Sequence, residues 1–317
     1  MFYIGVDLGG TNIATAVVTG NFEIIGKGSV PTNAPRPGKE IAKDIVKSIE
    51  MAIDNAGISI EEVDSIGIGS PGAVNAEDGI IEFSGNLGFD NVPLVKYVQE
   101  LTGVKTFIEN DANAAAYGEL VAGAGRGAKN FVAITLGTGV GGGVIINGKI
   151  FSGWNSFGAE LGHINLELNG EPCTCGRNGC WEAYASATAL IRQTKRAMNE
   201  DKNSKMWDIV GGDINAVNGK TAFDGMRAGD ETAKKVCDKY IEYVACGIVD
   251  VINIFQPEFV CIGGGISKEN ETLLAPIKKY ADEFRFGKKA KKLTEIKIAE
   301  LGNDAGIIGA AFLGINK

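Results

Sequence analysis

Basic residues are outnumbered, histidine occurs once, and no apolar run approaches the ~18 residues of a membrane span. Each shortage excludes a class of protein. With 31 Lys and Arg against 39 Asp and Glu, the formal charge is −8, so the chain lacks the clustered cations that contacts to nucleic-acid phosphates require. Its one strongly basic stretch, Lys288-Lys289-Ala-Lys291-Lys292, reads as a solvated loop. The segment Met1 to Asp7 carries no basic residue before its apolar ones and meets an acid at position 7, so it does not read as a signal peptide. Six cysteines are few for this length and fit a reducing compartment, the cytoplasm, better than a disulfide scaffold. The pattern Gly-x-x-x-x-Gly-Lys-Ser/Thr occurs nowhere, which excludes a P-loop.

What is present is globular: 44% hydrophobic and 22% charged residues, with 45 glycines marking many tight backbone sites. A chain of 317 residues suits two lobes better than one. The opening reads as a β-meander, Phe2 to Asp7, Asn12 to Thr19 and Glu23 to Val30. A helix from about Lys39 to Asn55 follows, with Ile41, Ile45, Ile49 and Ile53 at four-residue spacing and Gly57 past its end. Strand Val63 to Gly69 runs into Ser70-Pro71-Gly72, and strand Val104 to Ile108 meets an alanine-rich helix at Glu109-Asn110-Asp111. The opening then recurs as strand Phe131 to Leu136, turn Gly137-Thr138-Gly139 and strand Val140 to Asn147. The turns at Gly9-Gly10-Thr11 and Gly137-Thr138-Gly139 correspond, which indicates two lobes of similar topology. Helices are expected over Glu182 to Asn199 and Glu231 to Phe255, a strand over Phe259 to Ile262 before Gly263-Gly264-Gly265, and a last helix over Ala305 to Leu313.

Three constellations carry chemistry. The only histidine, His163, precedes Cys173, Cys175 and Cys180, a set that suits tetrahedral Zn²⁺. Four protein ligands fill the shell, so the metal is expected to be structural; the alternative is ordinary thiols beside a core histidine. Glu160 and Glu182 flank this set, and a polyhydroxy ligand could use both. Gly137-x-Gly139-x-x-Gly142 matches a dinucleotide fingerprint but is followed by a strand pattern rather than a helix, which rejects that reading. Two glycine hairpins cradling the phosphates of one nucleotide survive as the reading, with Thr11 and Thr138 adding hydroxyls and glycine needed where a Cβ would crowd a phosphate or where φ is positive. At Glu109-Asn110-Asp111 a carboxylate can act as a general base toward a hydroxyl nucleophile. Asn110 or Asp111 is equally a helix N-cap, and the residues alone favour the cap.

Asp7-Leu-Gly-Gly-Thr-Asn12, Gly69-Ser-Pro-Gly72, Glu109-Asn-Asp111, Leu136-Gly-Thr-Gly-Val-Gly-Gly, Glu160-Leu-Gly-His163 and Cys173-x-Cys175-Gly-x-x-Gly-Cys180-x-Glu182 follow one another along the whole chain. Together they resemble the ROK family of sugar kinases and repressors, and among them the family's glucokinases. The resemblance implies the α/β, actin-like and hexokinase-like (ribonuclease H-like) fold, two lobes with sugar and ATP in a cleft. It implies a small lobe over 1–119 completed by a helix at 303–317, and a large lobe over 120–302 with an inserted zinc loop at 160–182. It further implies glucose phosphorylation at the 6-hydroxyl, a step of glycolysis, with Asp111 as the base and Gly72, Asn86, Asn110, Glu160, His163 and Glu182 on the sugar. ATP is implied at Gly9, Gly10, Thr11, Asn12, Thr138, Gly139, Gly264 and Gly265, Mg²⁺ near Asp7, and homodimers as the assembly. His163 is implied to bind zinc through one ring nitrogen and to face the sugar, so the metal is expected to act on the sugar site far more than on ATP. N-acetylmannosamine, fructose or allose as substrate, and polyphosphate as donor, stay open. A sugar-sensing repressor is disfavoured because such relatives carry an N-terminal helix-turn-helix, whereas a strand is expected from residue 2.

Overall fold

The computed structural model describes residues 1–315; Asn316 and Lys317, the end of the expected segment 303–317, lie outside the described residues. In chain order the first elements are β1 (Phe2–Leu8), β2 (Asn12–Thr19), β3 (Ile24–Pro31), α1 (Gly38–Ala56), β4 (Val63–Ser70), β5 (Ala73–Asn75), β6 (Ile80–Ser84) and β7 (Phe89–Val92). Next come α2 (Leu94–Thr102), β8 (Thr106–Asn110), α3 (Asp111–Ala122), β9 (Phe131–Leu136), β10 (Val140–Ile146) and β11 (Lys149–Ile150). The remainder is α4 (Glu182–Ala185), α5 (Ala187–Glu200), α6 (Met206–Ile209), α7 (Thr221–Arg227), α8 (Glu231–Phe255), β12 (Phe259–Gly263), α9 (Glu271–Phe284), β13 (Glu295–Ile298) and α10 (Ala305–Ala311). No helix among the described residues is long and apolar enough to cross a membrane.

The chain divides into two compact units. Unit 1 holds Met1–Ala133, Gly143–Ala159 and the chain from Glu300 onward; unit 2 holds Ile134–Gly142 and Glu160–Ala299. Residues 120–133, 143–159 and 300–302, expected in the second lobe over 120–302, fall in unit 1 of this division.

In unit 1 a five-stranded sheet has the order β3-β2-β1-β4-β8. β1, β2 and β3 form the antiparallel meander, whereas β4 and β8 run parallel to β1. The central strands β1 and β4 are buried nearly throughout, as strands covered on both faces must be, while β3 alternates buried and exposed residues. Asp7, Gly69 and Glu109 fall in one register row. Ser70-Pro71-Gly72 and Asn110-Asp111 therefore leave the sheet at its carboxyl edge, where parallel sheets of this kind form ligand sites.

Helix α1 buries the predicted isoleucine face and ends at Gly57, left-handed at φ 67°. On the sheet itself, α10 lies directly against strand backbone. A Cβ on Gly5 of β1 would stand 1.9 Å from the Ile307 carbonyl oxygen, and one on Gly67 of β4 would stand 1.7 Å from that of Ala310. Two bare strand positions are thus what admit the helix.

A second five-stranded sheet, β11-β10-β9-β12-β13, repeats the order of the first, a meander followed by two further strands. β10 is a strand, as expected, so the fingerprint at Gly137 is not followed by a helix. The helix expected over Glu182 to Asn199 is broken. Ser186 is extended (φ −74°, ψ 162°), and its hydroxyl accepts the Ala189 N–H to cap α5. An apolar pattern that continues across the break conceals it from the sequence.

Gly67→Ala should lower stability by about 1–3 kcal/mol or more, the usual penalty of overpacking, read from the midpoint of urea unfolding. Gly20→Ala, whose Cβ would enter open space, is the near-neutral control. An unchanged midpoint for Gly67→Ala would contradict the close approach of α10.

Candidate active site and metal centre

In unit 1, the competition at the start of α3 has one winner. The Asn110 side chain accepts the N–H groups of Ala112 (2.9 Å) and Asn113 (3.3 Å), and its amide donates to the Gly72 carbonyl at 3.1 Å. Asn110 is the cap. Asp111, the first helical residue, accepts only the Ala112 N–H, at 2.8 Å through Oδ1, and its other oxygen has no hydrogen-bond partner among the described residues. Glu109 braces the turn from below, buried, accepting from Asn110 N–H and from the Asn113 amide, each at 3.0 Å. Burial pushes the Asp111 carboxyl above the usual aspartate range, although the Ala112 N–H opposes it. Asp7 is pushed up as well, by burial first and then by the Asp111 charge. Two half-buried carboxylates that repel each other form a ready place for a divalent cation.

Thr32 fixes the first glycine turn, donating its hydroxyl to the Gly9 carbonyl (2.6 Å) and its N–H to the Thr11 carbonyl (2.9 Å). The Asn12 amide is taken up by Ser29 at 2.8 Å, while Thr11 is exposed. Gly10 lies against Asn86, 3.4 Å from where its own Cβ would be. None of Gly9, Gly10, Gly137 and Gly139 has positive φ, so a left-handed turn is not the reason for glycine there; space is.

Unit 2 brings the four expected metal ligands together. Cys173 Sγ lies 3.6 Å from His163 Nδ1, Cys175 Sγ 3.6 Å from Cys180 Sγ, and all four ligand atoms fall within 4.8 Å of one another. Tetrahedral zinc with bonds of about 2.0 Å to nitrogen and 2.3 Å to sulfur separates its ligands by roughly 3.5–3.8 Å, so the set fits that ion. His163 turns Nδ1 to the sulfurs, which leaves Nε2 for another partner. Burial pushes the Cys180 thiol up to about 12, so its thiolate calls for a cation.

Glu160 is exposed on the turn that carries His163, whose N–H it binds through its carbonyl at 3.0 Å. The Glu182 carboxylate has two faces. Oε1 accepts from the Thr174 hydroxyl (3.3 Å) and lies 3.7 Å from Cys173 Sγ, whereas Oε2 accepts the Val140 N–H (3.0 Å) beside Gly139. Gly264, at φ 87°, leaves 2.4 Å between its missing Cβ and the Leu136 carbonyl oxygen, so Gly264-Gly265 abuts the start of the second glycine turn. Sequence reasoning misses Thr32 and Thr188, lone hydroxyls outside any motif, and Thr174, the unassigned residue between Cys173 and Cys175; Thr188 donates to the Thr138 carbonyl at 2.7 Å. A cavity of about 1030 Å³ within unit 1 is bounded by Asn75, Glu82, Phe107, Lys149 and the exposed Trp154; of the Glu109-Asn110-Asp111 segment only Glu109 lines it.

Residues 3–317 match the model of the ROK family. The chain is similar to a glucokinase of Halalkalibacterium halodurans, 39% identical over 98% of this chain and 94% of that protein. Among solved structures it is similar to a ROK family glucokinase from Streptomyces griseus in complex with glucose and AMPPNP (34% identity, all of both chains, TM-score 0.82). A ROK family transcriptional regulator, homologous to the E. coli MLC protein, is similar at 25% identity and a TM-score of 0.84, covering 98% of this chain and 76% of that one.

A carboxyl group whose pKa rises on folding stabilises the fold below its unfolded value, and that contribution is lost as pH climbs through the folded value. Ionised Asp111 is therefore a cost at neutral pH. Asp111→Asn should raise the Tm of the ligand-free protein at pH 7, and the gain should shrink as pH falls and vanish below the unfolded pKa of about 3.9. Calorimetry across that range checks it; a loss of Tm at pH 7 would contradict the cost.

Proposed function

The chain belongs to the ROK family, and from that premise we propose that it is an ATP-dependent hexose kinase that phosphorylates glucose at its 6-hydroxyl. One observation carries the mechanism: Asn110 caps α3, so Asp111 keeps an oxygen free for proton transfer. Full-length similarity to glucokinases, one of them solved with glucose and AMPPNP, supports the substrates.

Asp111 accepts the proton of the 6-hydroxyl as that oxygen attacks the γ-phosphorus. The bond to the bridging oxygen breaks, and ADP leaves. A carboxyl pushed above the ordinary aspartate range is the stronger base. Asn110, Glu160, His163 through Nε2, Glu182, Asn86 and the backbone at Gly72 hold the remaining sugar hydroxyls. Amides and hydroxyls of Gly9 to Asn12 and of Thr138-Gly139 hold phosphates, and Gly264-Gly265 lies by the adenosine. Asp7 places Mg²⁺, which when bound neutralises charge on the transferred phosphate. His163, Cys173, Cys175 and Cys180 hold a structural zinc. None of the six cysteines is joined in a disulfide among the described residues, which fits the cytoplasm.

A coupled assay of the purified protein with ATP, across glucose, N-acetylmannosamine, fructose and allose, should show glucose turned over at about 1–100 s⁻¹. No turnover of any sugar with ATP or polyphosphate would overturn the reading. Elemental analysis of the same sample should find one zinc per chain; active protein without zinc would reduce the cluster to ordinary thiols.

A further inference from the structure

The zinc loop is bonded to the second glycine turn as well as flanking the expected sugar residues. Cys180 leads through Trp181 to Glu182, and three hydrogen bonds run from this segment and the start of α5 to the turn. They are Val140 N–H to Glu182 Oε2 (3.0 Å), Ala187 N–H to the Gly137 carbonyl (2.8 Å) and the Thr188 hydroxyl to the Thr138 carbonyl (2.7 Å). Gly137, Thr138 and Val140, the residue after Gly139, are thus held from the segment that follows the metal ligands.

We propose that the Glu182 carboxylate links the metal centre to the nucleotide turn, so that zinc and ATP bind cooperatively. This inference rests on the kinase reading of the turn. One Glu182 oxygen is fixed on the loop side, by Thr174 and beside Cys173, and the other holds the Val140 N–H. Trp181 anchors the backbone between them: it is fully buried, its indole donates to the Tyr243 carbonyl at 2.8 Å, and it fills the notch left by Gly247. With the backbone pinned there, the freedom left to the Glu182 side chain is set by residues 173–175, which the metal orders. A Cβ at Gly139 would stand 2.3 Å from Glu182 Oε2, so turn and carboxylate cannot shift independently. Glu182 acts here as a positioning residue, through the amide at Val140 and the bare face of Gly139.

The coupling must be reciprocal. If zinc tightens nucleotide binding by some factor, the nucleotide tightens zinc by the same factor. Zinc affinity, measured by chelator competition on the whole protein, should rise roughly 5- to 150-fold when a magnesium complex of a non-hydrolysable ATP analogue saturates it, with no sugar present. Calorimetric affinity of the analogue should fall by the same factor in metal-free protein. Glu182→Gln retains an oxygen that can accept the Val140 N–H, whereas Glu182→Ala does not. With zinc bound, the alanine variant should therefore lose about three- to tenfold in analogue affinity and the glutamine variant much less. A role confined to the sugar would move neither value. Equal zinc affinities with and without the analogue, or equal analogue affinities for the two variants, overturn the link alone. Zinc-bound protein that binds no analogue overturns the link together with the kinase reading.

Discussion

The unpaired N–H groups at the start of α3 find their acceptor in Asn110, and the rest of the site depends on that choice. A helix start needs one good side-chain acceptor, worth about 1 kcal/mol, and gains little from a second. Because the neutral amide supplies it, the adjacent carboxylate is spared, half-buried at the carboxyl edge of the sheet, where its charge presses on Asp7. The amide's other end ties Gly72 to the same point, so the loop after β4 and the head of α3 are set together. A carboxylate held this way is costly for the empty protein, and that cost is the form in which the fold stores its chemistry.

Close approach does for the framework what capping does for the site. Gly5 and Gly67 admit α10 onto the centre of the sheet, and Gly309 of α10 in turn lies against the Ala114 carbonyl of α3, where its Cβ would stand 1.7 Å from the oxygen. The strand ends that present Asp7, Gly72 and Asp111 therefore rest on a helix that could not come so near if those glycines bore side chains. In unit 2 the same device recurs at Gly139 and Gly247, which give room to Glu182 and Trp181.

Much of this was legible in the residues. Isoleucines at four-residue spacing marked α1 nearly to its ends, and the repeated glycine hairpin anticipated the repeated sheet order, because periodicity and turn chemistry are local. Side-chain chemistry was legible too: sulfur and imidazole at close spacing marked four residues whose ligand atoms the fold brings within 4.8 Å of one another. What stayed hidden depends on separation in sequence. Val140 N–H meets Glu182 across 42 residues, and Thr188 reaches Thr138 across 50, with no pattern joining them. The choice between Asn110 and Asp111 as cap was hidden for the opposite reason: both suit the position, and only geometry separates them. The break at Ser186 escaped because the apolar period runs through it.

Turnover of Asp111→Asn is the most direct test of the mechanism. The substitution keeps the shape, keeps an oxygen for the Ala112 N–H and leaves the Asn110 cap untouched, but it removes the carboxylate proposed to take the proton. Glucose should bind with nearly unchanged Kd while kcat falls about 10²- to 10⁴-fold. Turnover within a few-fold of the unmodified protein would contradict the mechanism and leave Asp111 as no more than the first residue of a helix.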